Sequence, residues 1–121
     1  MRFRPVQHLS RQSDIQAVRQ QGHRMDCRAF TLWTLARTEG TDLPRACFVA
    51  STQSVGGAIL RNRAKRRLRE IFRRHQDGAP RSHDFLLVAR AQVNNWPFVQ
   101  IEKLFTDACS RLSRQTLPGK P

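Results

Sequence analysis

The sequence predicts an α+β fold, a small two-layer α/β sandwich with its elements in the order α-β-β-β-α-β-α. Three observations carry that expectation. Segments with helical spacing of apolar residues stand at both ends and in the middle of the chain, the runs between them alternate or are continuously apolar, and 121 residues suit one domain rather than two. The chain therefore reads as a single domain over 1–121, ordered from about 9 to 114, with the tail 115–121, QTLPGKP, expected to be disordered.

The first helix is expected over residues 10 to 22, SRQSDIQAVRQQG. Ser10 can cap its start, Ile15 and Val18 share a face, and Gly22 stands where a left-handed C-terminal residue belongs. Of the strands ahead of the middle helix, two can be placed. RAFTLWTLAR at 28–37 is rich in β-formers and alternates, sending Phe30 and Leu32 to one face and Trp33 and Leu35 to the other. RACFVAST at 45–52 is its expected partner after the turn-rich EGTDLP.

Two glycines in SVGGAIL loosen the chain before a basic run that nothing breaks until DGAP at 77–80. DFLLVARA, 84–91, then reads as a buried strand. Pro97 can open a last helix, in which Phe98, Ile101, Leu104, Phe105, Ala108 and Leu112 keep helical spacing.

Charge narrows the function. Lys and Arg number 22 against nine Asp and Glu, a formal charge of +13, and Arg supplies nearly all of the excess. Self-repulsion of that size disfavours the compact state unless a polyanion neutralises it, and the planar guanidinium grips phosphate oxygens in pairs. Nucleic acid is the implied partner. Cys27, Cys47 and Cys109 are odd in number and widely spaced, which suits neither a disulfide framework nor a paired-cysteine zinc site. They read as reduced thiols of a cytoplasmic protein. No apolar run approaches the roughly 20 residues that span a bilayer, and the first twelve residues lack the apolar segment of a signal peptide.

The charge concentrates in RNRAKRRLREIFRR, residues 61–74, where eight basic side chains meet one acid, Glu70. On a helical wheel Leu60, Ala64, Leu68, Ile71 and Phe72 fall within one 120° arc, the packing face, at 100° per residue. Asn62, Arg63, Lys65, Arg66, Arg67, Arg69, Arg73 and Arg74 fill the rest, while Arg61 falls inside the apolar arc and must snorkel or reach a partner at the helix start. Like charges three and four residues apart repel by a few tenths of a kcal/mol per pair, at roughly 0.2–0.5 each, so a merely solvated face is the poorer reading. No heptad seam follows the run, which excludes a leucine-zipper basic region.

These residues carry a resemblance. LRNRAKRRLREIF at 60–72 resembles the RNR motif of the protein subunit of bacterial ribonuclease P. SDIQAVRQQG is similar to that family's first helix, RAFTLWTL to its first strand, VGGAILRNR to its approach to the basic helix and DFLLVAR to its last strand, in the right order over about residues 9–112. The resemblance implies a sandwich whose strand, basic helix, strand unit crosses over with the left hand, against the general rule. It implies a protein that joins a large catalytic RNA, which removes the 5′ leader of precursor tRNA by magnesium-dependent hydrolysis, the magnesium being held mainly by the RNA. It further implies a cytoplasmic protein, monomeric before assembly.

By the same resemblance Arg61, Asn62, Arg63, Lys65, Arg66, Arg67 and Arg69 contact the RNA subunit, and Ile15, Arg19, Phe30 and Trp33 line a cleft for the precursor leader. Aromatic platforms suit single strands because every base has a π face. The family usually has Phe at the positions of Ile15 and Arg19 and lysines at those of Gln53 and Ser54, so this chain offers fewer stacking groups in helix one.

A protein nuclease needs clustered carboxylates for metal ions or a histidine with a partner. The nine acids are scattered, and His8, His23, His75 and His83 fall at ends and loops, so the sequence offers no catalytic residue and no metal site of its own. A ribosomal or other structural RNA-binding protein without associated catalysis has the same composition, and only the ordered motifs separate the two readings.

Overall fold

The computed structural model describes residues 2–115; the remainder of the expected disordered tail lies outside them. A 3-10 turn, Pro5–Gln7, precedes helix α1, Gln12–Gln21. Strands β1, His23–Asp26, β2, Phe30–Ala36, and β3, Arg45–Val49, lead to the long helix α2, Ala58–His75. A second 3-10 turn, strand β4, His83–Ala89, a four-residue helix α3, Gln92–Asn95, and helix α4, Phe98–Gln115, complete the order.

The strands form one mixed sheet in the order β1-β2-β4-β3, antiparallel at β1-β2 and β2-β4 and parallel at β3-β4. The α+β sandwich and the position of every expected helix and strand agree with the sequence reading; β1 is the third strand that the expected order counts ahead of the middle helix, and α3 is an addition. β1 reads HRMD, too polar and too short to register as a strand, and is held by a tight hairpin in which Cys27 N–H donates to Phe30 O.

The two faces of the sheet differ. Phe30, Leu32, Phe48, Phe85 and Leu87 point to a main core closed by Ala64, Leu68, Ile71 and Phe72 of α2 and by Ile101, Phe105 and Leu112 of α4. Edge-to-face pairs join Phe72 to Phe85 at 5.7 Å and to Phe105 at 5.9 Å, a geometry each ring quadrupole favours. On the other face Leu86 is buried with Leu9 and Val18 under α1, and Ile15, Trp33, Leu35, Cys47, Val49 and Val88 remain half-buried around them. One side of the sheet is sealed and the other is only partly covered.

The hand of the β3-α2-β4 crossover follows from hydrogen-bond parity. Arg90 N–H donates to Ala29 O and Arg37 N–H to Ser82 O, so the even-numbered residues of β4 bond to β2 and the odd-numbered to β3. The odd ones, Phe85 and Leu87, face α2. An L-residue on a strand drawn upward, side chain toward the viewer, directs its N–H and C=O to the right. Seen from α2, β3 therefore lies to the right of β4. A chain that climbs β3, returns through α2 in front and climbs β4 steps leftward, which is the rarer, left-handed crossover.

Two local expectations for α1 are corrected. Its N-cap is Arg11, which makes no side-chain cap bond, and Ser10 stands one residue outside. Gly22 is extended rather than left-handed, at φ −81 and ψ 170. Glycine is needed there for space, since a Cβ would stand 2.3 Å from Val18 O and 2.7 Å from Thr34 O, where helix and sheet backbones nearly touch.

Near the same end of the sheet Asp84, which pairs with Leu35 of β2, is buried and accepts from three guanidinium nitrogens. Arg37 Nε lies 2.6 Å from Oδ1, Arg45 Nε 2.8 Å from the same oxygen and Arg45 Nη2 2.8 Å from Oδ2. The Nη groups of Arg37 reach on to the carbonyls of Thr41 and Leu43, fixing the β2-β3 loop. A buried carboxylate is tolerated here because its lone pairs are satisfied by charge-assisted donors.

Candidate nucleic-acid interface

The basic helix stands as its periodicity dictates. Ala64, Leu68, Ile71 and Phe72 are wholly buried, whereas Asn62, Arg63, Arg66 and Arg69 are exposed and Lys65 is half-exposed. Leu60 departs from the wheel at 43% exposure, because α2 begins before its packing face reaches the sheet; Ile59 beside it is 84% exposed. Gly57 offers no side-chain cap.

The charged arc is not uniform. Arg63, Lys65 and Arg66 form no ion pair among the described residues, so their charge is free to meet a polyanion. Arg69 lies over the Phe48 ring, its guanidinium carbon 5.5 Å from the centroid. Arg73 and Arg74 grip Glu70 at 2.7 and 3.1 Å, and the Arg73 hydrogen bond, seconded by Arg74, draws the Glu70 carboxyl down to about 2. Arg61 does not escape the apolar arc completely: its Nε is buried with no hydrogen-bond partner among the described residues.

Arg67, half-buried at the border of the charged arc, stands apart from the other cations. Its Nε donates to Val93 O at 2.7 Å and its Nη2 to Trp96 O at 2.8 Å, with the guanidinium over the Phe98 ring. Those carbonyls end the short helix α3, which has no side chain of its own to satisfy them. Burial, then the nearby Arg63 charge, lowers the Arg67 pKa. The side chain is committed to the fold, a role visible only once α3 is known to lie against α2.

The second expected group divides. Ile15 and Trp33 meet on the partly covered face of the sheet, and Arg24 of β1 places its guanidinium 5.9 Å from the Trp33 ring centroid. Arg19 is exposed on α1. Cys47, half-buried on the same face, is raised in pKa by burial, a rise that the charges of Arg19 and Lys65 oppose. Phe30 does not join them. It is 0% exposed in the main core, on the face opposite Trp33, because residues three apart on a strand point to opposite sides. Phe30 has no ring face left for a base.

Gln53 and Ser54 lie exposed in the turn before α2. Sequence reading missed Arg24, whose signal was the polar strand β1, and His8, which packs on Phe3 beside α2. Among the described residues no group of three or more His, Cys, Asp or Glu side chains is placed to hold a metal ion, and no helix is long and apolar enough to cross a membrane.

Comparison with known proteins completes the picture. The family model described as Ribonuclease P matches residues 3–113. A ribonuclease P protein component from Vibrio parahaemolyticus is 35% identical over 99 residues, 82% of this chain and 81% of that one. The ribonuclease P protein of Staphylococcus aureus superposes with a TM-score of 0.73 at 25% identity, covering 88% of this chain and 94% of the other. That of Thermotoga maritima shares the fold, with a TM-score of 0.71 at 22% identity over 92% and 94% of the two chains. With the ordered motifs, the left-handed crossover and the basic face of α2 all in place, the chain belongs to the ribonuclease P protein family.

Proposed function

We propose that the chain is the protein component of ribonuclease P, binding the catalytic RNA subunit through α2 and the 5′ leader of precursor tRNA through the partly covered face of the sheet. The observation that carries this reading is a row of cations without an ion pair among the described residues, Arg63 and Arg66 exposed and Lys65 half-exposed, on a helix whose other face is locked in the core of a chain of this family. The RNA-subunit contacts are Arg61, Asn62, Arg63, Lys65, Arg66 and Arg69. Trp33 takes the leader together with Ile15 on the same face and the exposed Arg19 of α1, the indole stacking a base and the guanidinium meeting a phosphate.

In this role the polypeptide moves no proton. Its cations offset phosphate repulsion between two RNAs, and its half-buried indole orients the single strand. Magnesium belongs to the RNA subunit, since the acids of this chain are dispersed or already paired with arginines. The protein acts in the cytoplasm and is monomeric before assembly.

The test is to reconstitute the protein with its RNA subunit and follow 5′ leader removal. The assembled enzyme cleaves at moderate salt, the RNA alone cleaves slowly only at high salt and high magnesium, and the protein alone does not cleave. Protein that cleaves after its bound RNA has been destroyed, or that copurifies with ribosomal RNA instead, overturns the reading.

A further inference from the structure

The charged face of α2 is bordered by an aromatic stack that lies outside the basic run. Phe3 packs edge-on against Phe48 at 5.8 Å and Phe72 at 5.5 Å, so the ladder of core rings continues outward through it. His8 lies on Phe3 with centroids 4.4 Å apart and planes 23° from parallel, closing the ladder with an imidazole at the surface. The His8 side chain is exposed and makes no hydrogen bond or ion pair among the described residues. Its backbone, by contrast, is fixed: His8 N–H donates to Pro5 O, the residue bridges to Ala46 of β3, and Leu9 N–H donates to Ala46 O. Beneath it Gln7 is buried and donates to Gln76 Oε1 at 2.6 Å, pinning the segment to the end of α2.

Phe3 and His8 help line an open cleft of about 790 Å³ with Arg2, Arg63, Arg66 and Arg69. A flat ring held rigidly at the rim of a cationic cleft is what an extruded base requires: a π face to stack on, with guanidiniums to take the flanking phosphates. A purely structural role, shielding Phe3 from water, explains the contact. It does not explain why the shield is a flat ring presented among unpaired arginines.

We propose that His8 is a stacking platform for an unpaired base of the RNA bound by α2. The proposal rests on the function proposed above and adds one site to it, outside the basic helix and outside the leader face.

Stacking and charge are separable because only charge neutralisation releases counterions. The complete protein is titrated against the ribonuclease P RNA subunit at several salt concentrations, as wild type, His8→Ala, His8→Phe, His8→Lys and the double variant Arg63→Gln/Arg66→Gln, each checked for unchanged unfolding by urea. His8→Ala is expected to weaken binding about tenfold at every salt concentration, in line with the range for one base on one ring, with the slope of log K against log salt unchanged. His8→Phe is expected to bind within about twofold of wild type, and His8→Lys to bind as poorly as His8→Ala. Wild-type affinity in His8→Ala, or rescue by Lys and not by Phe, overturns the platform. Should His8→Ala prove unstable, the comparison of Phe with Lys alone decides. If the Arg63/Arg66 variant also binds like wild type with an unchanged slope, the reading of α2 fails; if that variant is weakened and only the His8 results fail, the platform alone is lost.

Discussion

Arg67 Nε stands 2.7 Å from the carbonyl oxygen of Val93, so a guanidinium from the middle of the most basic stretch in the chain is turned inward to end a neighbouring helix. Its neighbours Arg63 and Arg66 are exposed and unpaired among the described residues. Adjacent residues of one motif thus serve two purposes, and substitution separates them.

Arg67→Ala is expected to destabilise the protein by about 1–3 kcal/mol, the range for hydrogen bonds from a charged donor, discounted because the site is partly exposed. Urea unfolding measures it. Arg63→Ala with Arg66→Ala is expected to leave stability within about 0.5 kcal/mol, as for surface positions generally, while weakening RNA binding. A reversal of the two phenotypes contradicts the assignment.

The salt dependence of RNA binding measures how many cations on α2 act. With about five phosphates contacted, log K is expected to fall with log salt at a slope of roughly −4, between the single-strand and duplex coefficients. Removing Arg63 and Arg66 should bring the slope to about −2 to −3. A flat profile for the wild-type protein removes electrostatics from the interface.

Trp33→Ala is expected to lower the affinity of the assembled enzyme for precursor tRNA by about fivefold or more, from the lower end of the stacking range, and to leave mature tRNA unaffected. The contrast follows from the half-buried indole on the open face of the sheet. Equal losses for both substrates, measured by competition binding, return Trp33 to a packing role.

Asp84→Asn is expected to cost about 3–5 kcal/mol, because it leaves Arg37 and Arg45 without their shared carboxylate in a buried setting. The loss is read from chemical denaturation, and the β2-β3 loop, which Arg37 fixes, should become sensitive to protease. Stability within 1 kcal/mol of wild type would sink the account of this cluster.

The thiols should react in order of access. Burial pushes Cys27 up to about 11 and Cys109 up to about 12, and both are nearly inaccessible. Cys47 is half-buried on the open face. Alkylation of the native protein at pH 8, followed by mass spectrometry, is expected to modify Cys47 first and the other two only on unfolding, and bound precursor should protect Cys47.

Elements whose signal is local are legible in the amino-acid order alone. Apolar residues at helical spacing set the buried face of α2 at Ala64, Leu68, Ile71 and Phe72, and alternation in β2 put Phe30 and Trp33 on opposite faces. The ordered motifs carried the family, and with it the left-handed crossover that no periodicity encodes. What periodicity could not decide were contacts between residues distant in the chain. Arg67 falls next to Leu60 on a wheel, at the border of the charged arc, but only the docking of α3, 26 residues on, gives it carbonyls to bind. Phe30 was grouped with Trp33 by resemblance although its own parity argued otherwise, and the packing of α2 and α4 on its side of the sheet buried it. The polar strand β1 forms because β2 offers an edge to pair with, and His8 gains its place beside α2 because Phe3 fills the gap between Phe48 and Phe72. A side chain's chemistry is fixed by its identity, but its partner is fixed by tertiary packing, since a hydrogen bond or ring contact needs both members brought within a few ångströms and the chain does so only when folded.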